Sequence, residues 1–223
     1  MLTRPVMFDN AQMRALLPGD VVVGGEQISA LTTAGAGTLT AALLIAGIIR
    51  RTGPAGVFND TTDSAQNIIN AIISAYFVGT GAVSPAGVPI GTTWRLRYSN
   101  TVAFAGTVVA GAGVTLAVNT ATINASSVKD FLLTVLNGTP TQVYAATTTN
   151  ASAVITGLTQ AQTQNLSVGM AVSGTGIQAA STILSVQPGI GVTLSLNATA
   201  TATLVALTFS PTVQIDGLGQ GLL

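Results

Sequence analysis

The most regular pattern in the chain lies between Ala65 and Phe77. There Ala65, Ile68, Ile69, Ile72, Ile73, Tyr76 and Phe77 recur at spacings of three and four and share one side of a helix. Asp63, with Gln66 three residues on, is placed to cap the first turn, Thr61 and Thr62 are alternative caps, and Gly79 and Gly81 end it. The pattern predicts one amphipathic helix over about 63–77. Elsewhere the period is two, or the apolar runs are short. Trp94-Arg95-Leu96-Arg97-Tyr98 alternates strictly, which puts Trp94, Leu96 and Tyr98 on one face of a strand and both arginines on the other. Leu39 to Ile49 reads as a buried strand or short helix that ends in the turn Thr52-Gly53-Pro54-Ala55-Gly56.

Further strands are predicted at Val102–Ala110, Val114–Val118 and Phe131–Leu136. A second series follows at Gln142–Thr148, Ala153–Thr156, Met170–Ser173, Thr182–Gln187, Val192–Leu196 and Thr203–Phe209. The expected fold is mainly β: two β-sandwich or jelly-roll-like domains, the first carrying the packed helix. Residues 1–30 form an extended N-terminal arm, 31–138 the β-rich domain with one helix, and 139–223 a small Ig-like β domain with a flexible C-terminal tail. The boundary falls at Gly138-Thr139-Pro140, beyond which no helical period reappears. Gly111–Asn119 echoes Gly189–Asn197, either as a duplicated module or as a Gly-rich turn before a strand that arose twice.

Charge changes this picture. Only 6% of the residues are charged, seven basic and seven acidic, against roughly 25% in an ordinary soluble domain. Apart from Asp216, all of them lie within the first 130 positions. Like-charge repulsion keeps proteins apart in solution, so a chain this neutral is expected to have much of its surface covered by neighbours. Its 48% hydrophobic content rules out disorder as the alternative. Balanced charge also gives no field for a polyanion, so no nucleic-acid partner is expected. The run Leu39–Ile49 falls short of the roughly 20 residues that span a bilayer, and 4% aromatic content is poor for the girdles of a membrane barrel. No membrane association is expected, and the absence of a secretory pattern before Arg4, Pro5 and Asp9 points to release into the cytoplasm.

Candidate chemistry is sparse. The chain has neither histidine nor cysteine, which removes the usual acid–base switch, the thiol nucleophile and the commonest zinc ligands. No cofactor or metal is expected, and the chain is read as not an enzyme. Asp60 and Asp63 are the only close carboxylate pair, and they fit helix capping better than glycosidase-type or metal chemistry. Ser126-Ser127-Val128-Lys129 matches an S-x-x-K pattern, but Lys129 is the only lysine, so the accompanying K-T-G cannot exist. Arg4, Arg14, Arg50, Arg51, Arg95 and Arg97 are the candidate partner contacts; for the two clusters, a solvated strand face is the competing reading.

The segment Asn150–Phe209 resembles a module of phage head and tail proteins. The residues that carry the likeness are Ala153-Val154-Ile155-Thr156-Gly157, the stretch Leu166-Ser167-Val168-Gly169-Met170-Ala171-Val172-Ser173-Gly174-Thr175-Gly176-Ile177, and Val192-Thr193-Leu194-Ser195 with Ala198–Thr203. Gln178-Ala179-Ala180 departs from that family's usual Pro and Gly. Leu39–Ile73 is also similar to small virion proteins of tailed phages. The resemblance implies a structural virion protein without an active site. Its partners would be the major capsid protein or other virion proteins, and it would form a homo-oligomer, dimer or trimer. The reading that follows is a capsid decoration or cement subunit, assembled into the virion in the host cytoplasm. The alternative is a tail tube, fibre or adhesin component.

Overall fold

The computed structural model describes residues 6–9, 12–15, 27–77, 87–117 and 121–222, and the fold they make is mainly β. Val6–Asp9 (β1) and Gln12–Ala15 (β2) pair as a hairpin that forms a sheet of its own. The expected extended arm is therefore in part a hairpin, and its last residues already belong to Gln27–Leu31 (β3), an edge strand of a six-stranded sheet.

From β3 onward the chain changes sheet at every strand. The strands that follow are Gly37–Leu39 (β4), Gly47–Arg51 (β5), Phe58–Thr62 (β6), Thr93–Asn100 (β7), Gly106–Val109 (β8), Val114–Leu116 (β9), Thr122–Ile123 (β10) and Ser127–Asn137 (β11). Odd-numbered strands enter a six-stranded sheet and even-numbered strands a four-stranded one, ordered β10-β8-β6-β4. A chain that crosses the core and returns each time runs in the same direction on each visit. That is why β3, β5 and β7 are parallel, as are β4, β6 and β8. Parallel neighbours need crossovers of a dozen residues or more. These crossovers hold the two helices, Ala41–Ile45 (α1) and Ala65–Ile72 (α2). The sequence pattern predicts a sandwich, but its periods show which face a residue takes and not which strand lies alongside, so they leave the parallel winding open.

The predicted helix is present as α2, extended by a π-helical turn at Ile73–Phe77. Ala65, Ile68, Ile69 and Ile72 are buried along its apolar stripe. The side chains of Tyr76 and Phe77, and Gly79 and Gly81, lie outside the described residues, as does Val118. The cap differs from expectation: Ser64, not Asp63, Thr61 or Thr62, is the N-cap and accepts from the Asn67 amide. Leu39–Ile49, read as strand or helix, is the end of β4, then α1, then the start of β5. One core holds residues of both sheets and both helices, among them Leu44, Ile49, Phe58, Ile68, Trp94, Val108 and Phe131. The Trp94 indole donates to the Leu44 carbonyl at 3.0 Å, so its one polar atom is satisfied where the ring is buried.

A second core is enclosed by Gln142–Thr148 (β12), Val154–Thr156 (β13), Ala171–Gly174 (β14), Ile183–Gln187 (β15), Gly191–Leu194 (β16) and Ala202–Ser210 (β17). These are the six strands predicted there, with a short helix, Gln160–Thr163 (α3), between β13 and β14. All pairs are antiparallel, in the order β14-β17-β12-β13-β16-β15. Its two three-stranded halves meet at the single pair Thr147↔Thr156 and again where Ala171 bridges Thr182. The bonds from Val172 N to Ser181 O (2.8 Å) and from Ile183 N to Met170 O (2.9 Å) reinforce this second seam, so the sheet curls back on itself around Met170, Leu207 and Phe209.

The expected flexible C-terminal tail is instead a strand. Thr212–Leu222 (β18) returns to the first body, where it lies between β11, to which it is antiparallel, and β9, to which it is parallel, and buries Val213 and Ile215. The chain thus passes between the two bodies twice, and side chains pin the crossing. The Asn137 side-chain amide donates to Ser167 Oγ and Val168 O, both at 2.8 Å, the Gln66 side chain accepts from Thr141 N at 2.6 Å, and Thr212 Oγ1 donates to Gly169 O at 3.0 Å. The two segments that echo each other in sequence occupy different settings: β9 is an edge strand parallel to β18, whereas β16 lies within antiparallel pairs.

Candidate functional site

The structure divides the predicted contact arginines into two groups. Arg50 and Arg51 are adjacent on β5, so they point to opposite faces of the sheet. Arg50 is exposed, and Arg51 is fully buried beside Ile49. Arg51 is therefore removed from the candidate partner contacts. Its Nε donates to Asp60 Oδ2 at 2.9 Å and its Nη2 to Asp60 Oδ1 at 3.1 Å, a two-pronged pairing. Nη1 donates to the carbonyls of Leu31 and Thr33 at 3.1 and 2.7 Å, and Nη2 also to that of Gly35. All five guanidinium donors are used. The Arg51 Cζ sits over the Phe58 ring, 4.9 Å from its centre. The Tyr98 hydroxyl donates to Asp60 as well, and burial, then the hydrogen bond to Asp60, pushes its pKa well above the ordinary tyrosine value. Gly37 has no side chain because a Cβ there would stand 2.7 Å from Asp60 Oδ1.

This cluster corrects the reading of the Asp60–Asp63 pair. Asp60 sits on β6 inside the core and is occupied by Arg51 and Tyr98, so it does not cap a helix. Asp63 accepts from the Ala41 amide at the start of α1, from the Ser64 amide and from the Asn67 side chain. Burial works to raise its carboxyl, but the bonds from Asn67, Ala41 and Ser64 together hold it below its usual value. The pair is split between two structural tasks, and its carboxylates do not converge on a common point.

Arg95 and Arg97 lie on the outer face of β7, opposite Trp94, Leu96 and Tyr98, as the alternation predicts. Both reach Asp130 on β11: Arg97 Nε at 2.9 Å and Nη2 at 3.2 Å, Arg95 Nη2 at 3.3 Å. The Arg97 bond is the main influence on Asp130 and, with Arg95, holds its carboxyl below the ordinary range against a smaller opposing effect of burial. The strand registers extend this into ordered rows. Ile28, Ile48, Arg97 and Asp130 line up across β3, β5, β7 and β11; Ala30, Arg50, Ser99 and Val128 form the next row. Arg95, Leu132 and Asp216 form a third row across β7, β11 and β18. Arg4 lies outside the described residues, and Arg14 is on the hairpin strand β2.

Lys129, from the S-x-x-K match, is nearly buried on the inner face of β11. Its ammonium donates to Thr122 O at 2.7 Å and lies 5.5 Å from the Phe131 ring centre, and burial lowers its pKa. Between the two bodies lies a groove of about 600 Å³, lined by Gln66, Gly113, Thr115, Val172, Ile177 and Thr212 among others. Its lining is neutral, with no ionisable side chain. The stretch Leu166–Ile177 supplies Leu166, Met170 and Val172 to the second core. Gly174 takes φ +146°, and a Cβ there would come 2.7 Å from the Leu207 side chain, so glycine is required at that point of the motif.

Among the described residues no group of three or more His, Cys, Asp or Glu side chains could hold a metal ion, and no helix is long and apolar enough to cross a membrane. What the structure defines is a mainly β chain with two cores, one internally saturated ionic cluster and one outward arginine face. No protein-family model matches the chain, and comparison with curated proteins and with solved structures finds no match.

Proposed function

We propose that this chain is a structural subunit of a virus particle, a capsid decoration or cement protein without catalytic activity. The observation that carries the reading is the character of the surface. Large apolar side chains stand exposed on both bodies, among them Val57 (80% exposed), Leu204 (75%), Ile28 (69%) and Ile90 (68%), and residues 139–210 contain no Asp, Glu, Lys or Arg. Single exposed apolar residues are ordinary. Their abundance on a surface almost without charge suits a protein whose neighbours cover it permanently. The likeness of Leu166–Ile177 to modules of phage head and tail proteins supports the same class. Mechanism then means area: contacts of roughly 1,200–2,000 Å² each, repeated across a lattice, resist internal pressure by adding together.

Particles assembled without the protein are expected to release their genome at lower temperature and under milder osmotic shock than complete ones. Equal resistance would remove the cementing role. Immunogold labelling of complete particles is expected over the head, and labelling confined to the tail would replace this reading with that of a tail component.

A further inference from the structure

The groove between the bodies is neutral and Lys129 is nearly buried, whereas the arginine face of the six-stranded sheet carries chemistry directed outward. On the reading that the chain binds a particle, we infer that the outer face of β5 and β7 is its attachment surface, and that the partner presents carboxylates there: an acidic protein surface of the lattice.

The inference rests on where the cations are. Arg50, Arg51, Arg95, Arg97 and Lys129 are the cations whose side chains are described; Arg51 and Lys129 are buried, and the three exposed ones all fall on one face of two neighbouring strands. Among the described residues Asp130 is the carboxylate bonded to them, shared by Arg95 and Arg97, and Arg50 has no ion-pair partner there. Asp216 stands two strands from Arg95 with Leu132 between them, and it accepts from the Gln214 side chain. Among the described residues the β5–β7 side of the face therefore keeps a positive excess while the β11–β18 side is acidic. An approaching acidic surface is drawn to one half and repelled by the other, which sets its orientation. The sheet itself gives a second argument. β3, β5 and β7 are parallel, and parallel sheets are ordinarily covered on both faces. Here no described element covers the outer face, and Ile28 is exposed and Ile48 half-buried in the same row as Arg97. A cover on this face would bury that apolar corner and meet the arginines at once.

The test is rebinding of the purified full chain to particles that lack it, followed by co-sedimentation at 50 and 500 mM NaCl. Wild-type chain is expected to bind, more weakly at the higher salt. The double variant R95E/R97E is expected to bind tenfold or more weakly at 50 mM. The variant R95Q/R97Q should fall between, and R95K/R97K should keep most of the binding. Thermal melting of each variant confirms that it is folded, and R50E, which disturbs no ion pair among the described residues, repeats the test if the double reversal fails to fold. Folded charge-reversed chain that binds as tightly as wild type, with the same salt dependence, overturns the inference while leaving the particle reading intact. Wild-type chain that does not bind particles at all overturns the particle reading itself. A polyanion is the other occupant with this chemistry. Retention on immobilised double-stranded DNA at 150 mM NaCl that the reversal abolishes, with particle binding unchanged, would assign the face to nucleic acid and overturn the proposal.

Discussion

Replacing Arg51 with methionine should be among the most damaging single substitutions in the first body, and the structure allows its cost to be worked out. Methionine retains much of the apolar volume but none of the five donors. Asp60 would remain fully buried with the Tyr98 hydroxyl as its one remaining side-chain donor. Breaking a buried ion pair from one side costs about 3–5 kcal/mol, because the abandoned charge stays out of water. The carbonyls of Thr33 and Gly35 lose a donor but are partly exposed, and the Leu31 carbonyl keeps the Thr52 amide, so they add only about 1 kcal/mol in all. A loss of about 4–6 kcal/mol is a large part of the roughly 5–15 kcal/mol that holds a domain folded. At about 2–4 °C per kcal/mol for a chain of this size, the melting temperature should fall by roughly 10–20 °C.

Arg95→Met provides the contrast. It removes one exposed arm of a shared ion pair and should cost no more than about 1 kcal/mol. The double variant Arg51→Met/Asp60→Leu removes the stranded charge and should be more stable than Arg51→Met alone, even though the Tyr98 hydroxyl then loses its acceptor. Melting followed by far-ultraviolet circular dichroism measures all three. If Arg51→Met melted within about 2 °C of Arg95→Met, or if the double variant were the less stable, the account of Arg51 as a buried structural cation would be wrong.

Asp130 predicts a pH dependence. Its carboxyl is held below the ordinary value of about 3.9, mainly by Arg97, so its contribution to stability is complete above that pH and is lost as the pH falls through the lowered folded value. The stability gap between wild type and Arg97→Gln should therefore be widest above pH 4 and should narrow in stronger acid; melting curves from pH 6 to 2 that stayed parallel would refute it. Deleting 212–222 removes β18 from between β11 and β9 and takes Val213 and Ile215 from the core, and should leave the first body unable to fold. Deleting only 218–222, whose side chains are exposed, should keep the circular dichroism spectrum and lower the melting temperature by a few degrees. A folded chain lacking all of β18 would contradict the topology.

How far these features could be read from sequence depends on which force set each of them. The second series of strands was legible because each is short, apolar and bounded by turn residues, and its partners are close along the chain. The winding of the first body was not, because nothing in the alternation of Trp94 to Tyr98 says that β5 lies alongside in parallel. β18 is hard to read from sequence because Gly217, Gly219 and Gly221 offer no side-chain pattern, although Val213 and Ile215 alternate with Gln214 and Asp216. Helix α3 is too brief for a period to show, yet Thr159 and Gln162 spell out the capping box that the structure contains. Adjacency alone groups Arg51 with Arg50; extending the alternation from Ile49 puts it in the core, opposite its neighbour, and leaves Arg50 with Arg95 and Arg97.

Moving Arg51 inward sharpens what charge can do for this protein. With Arg51 and Asp60 cancelling each other in the core and Lys129 nearly buried, the described surface of the first body retains three arginines against the half-buried Asp63, Asp130 and Asp216. The body around the second core has no charge at all between residues 139 and 210. So few charges add little to affinity in salt solution. What they can supply is direction, because a face that is positive along β5 and β7 and acidic towards β18 prefers one orientation of a charged neighbour and disfavours the reverse. A subunit repeated over a lattice needs that preference more than it needs strength at any one contact, since the number of contacts provides the strength. Under the decoration reading, the uneven distribution of charge follows from this: the charged face selects the orientation, and the neutral body, with nothing to repel a second copy of itself, is left for packing between subunits or for outward display.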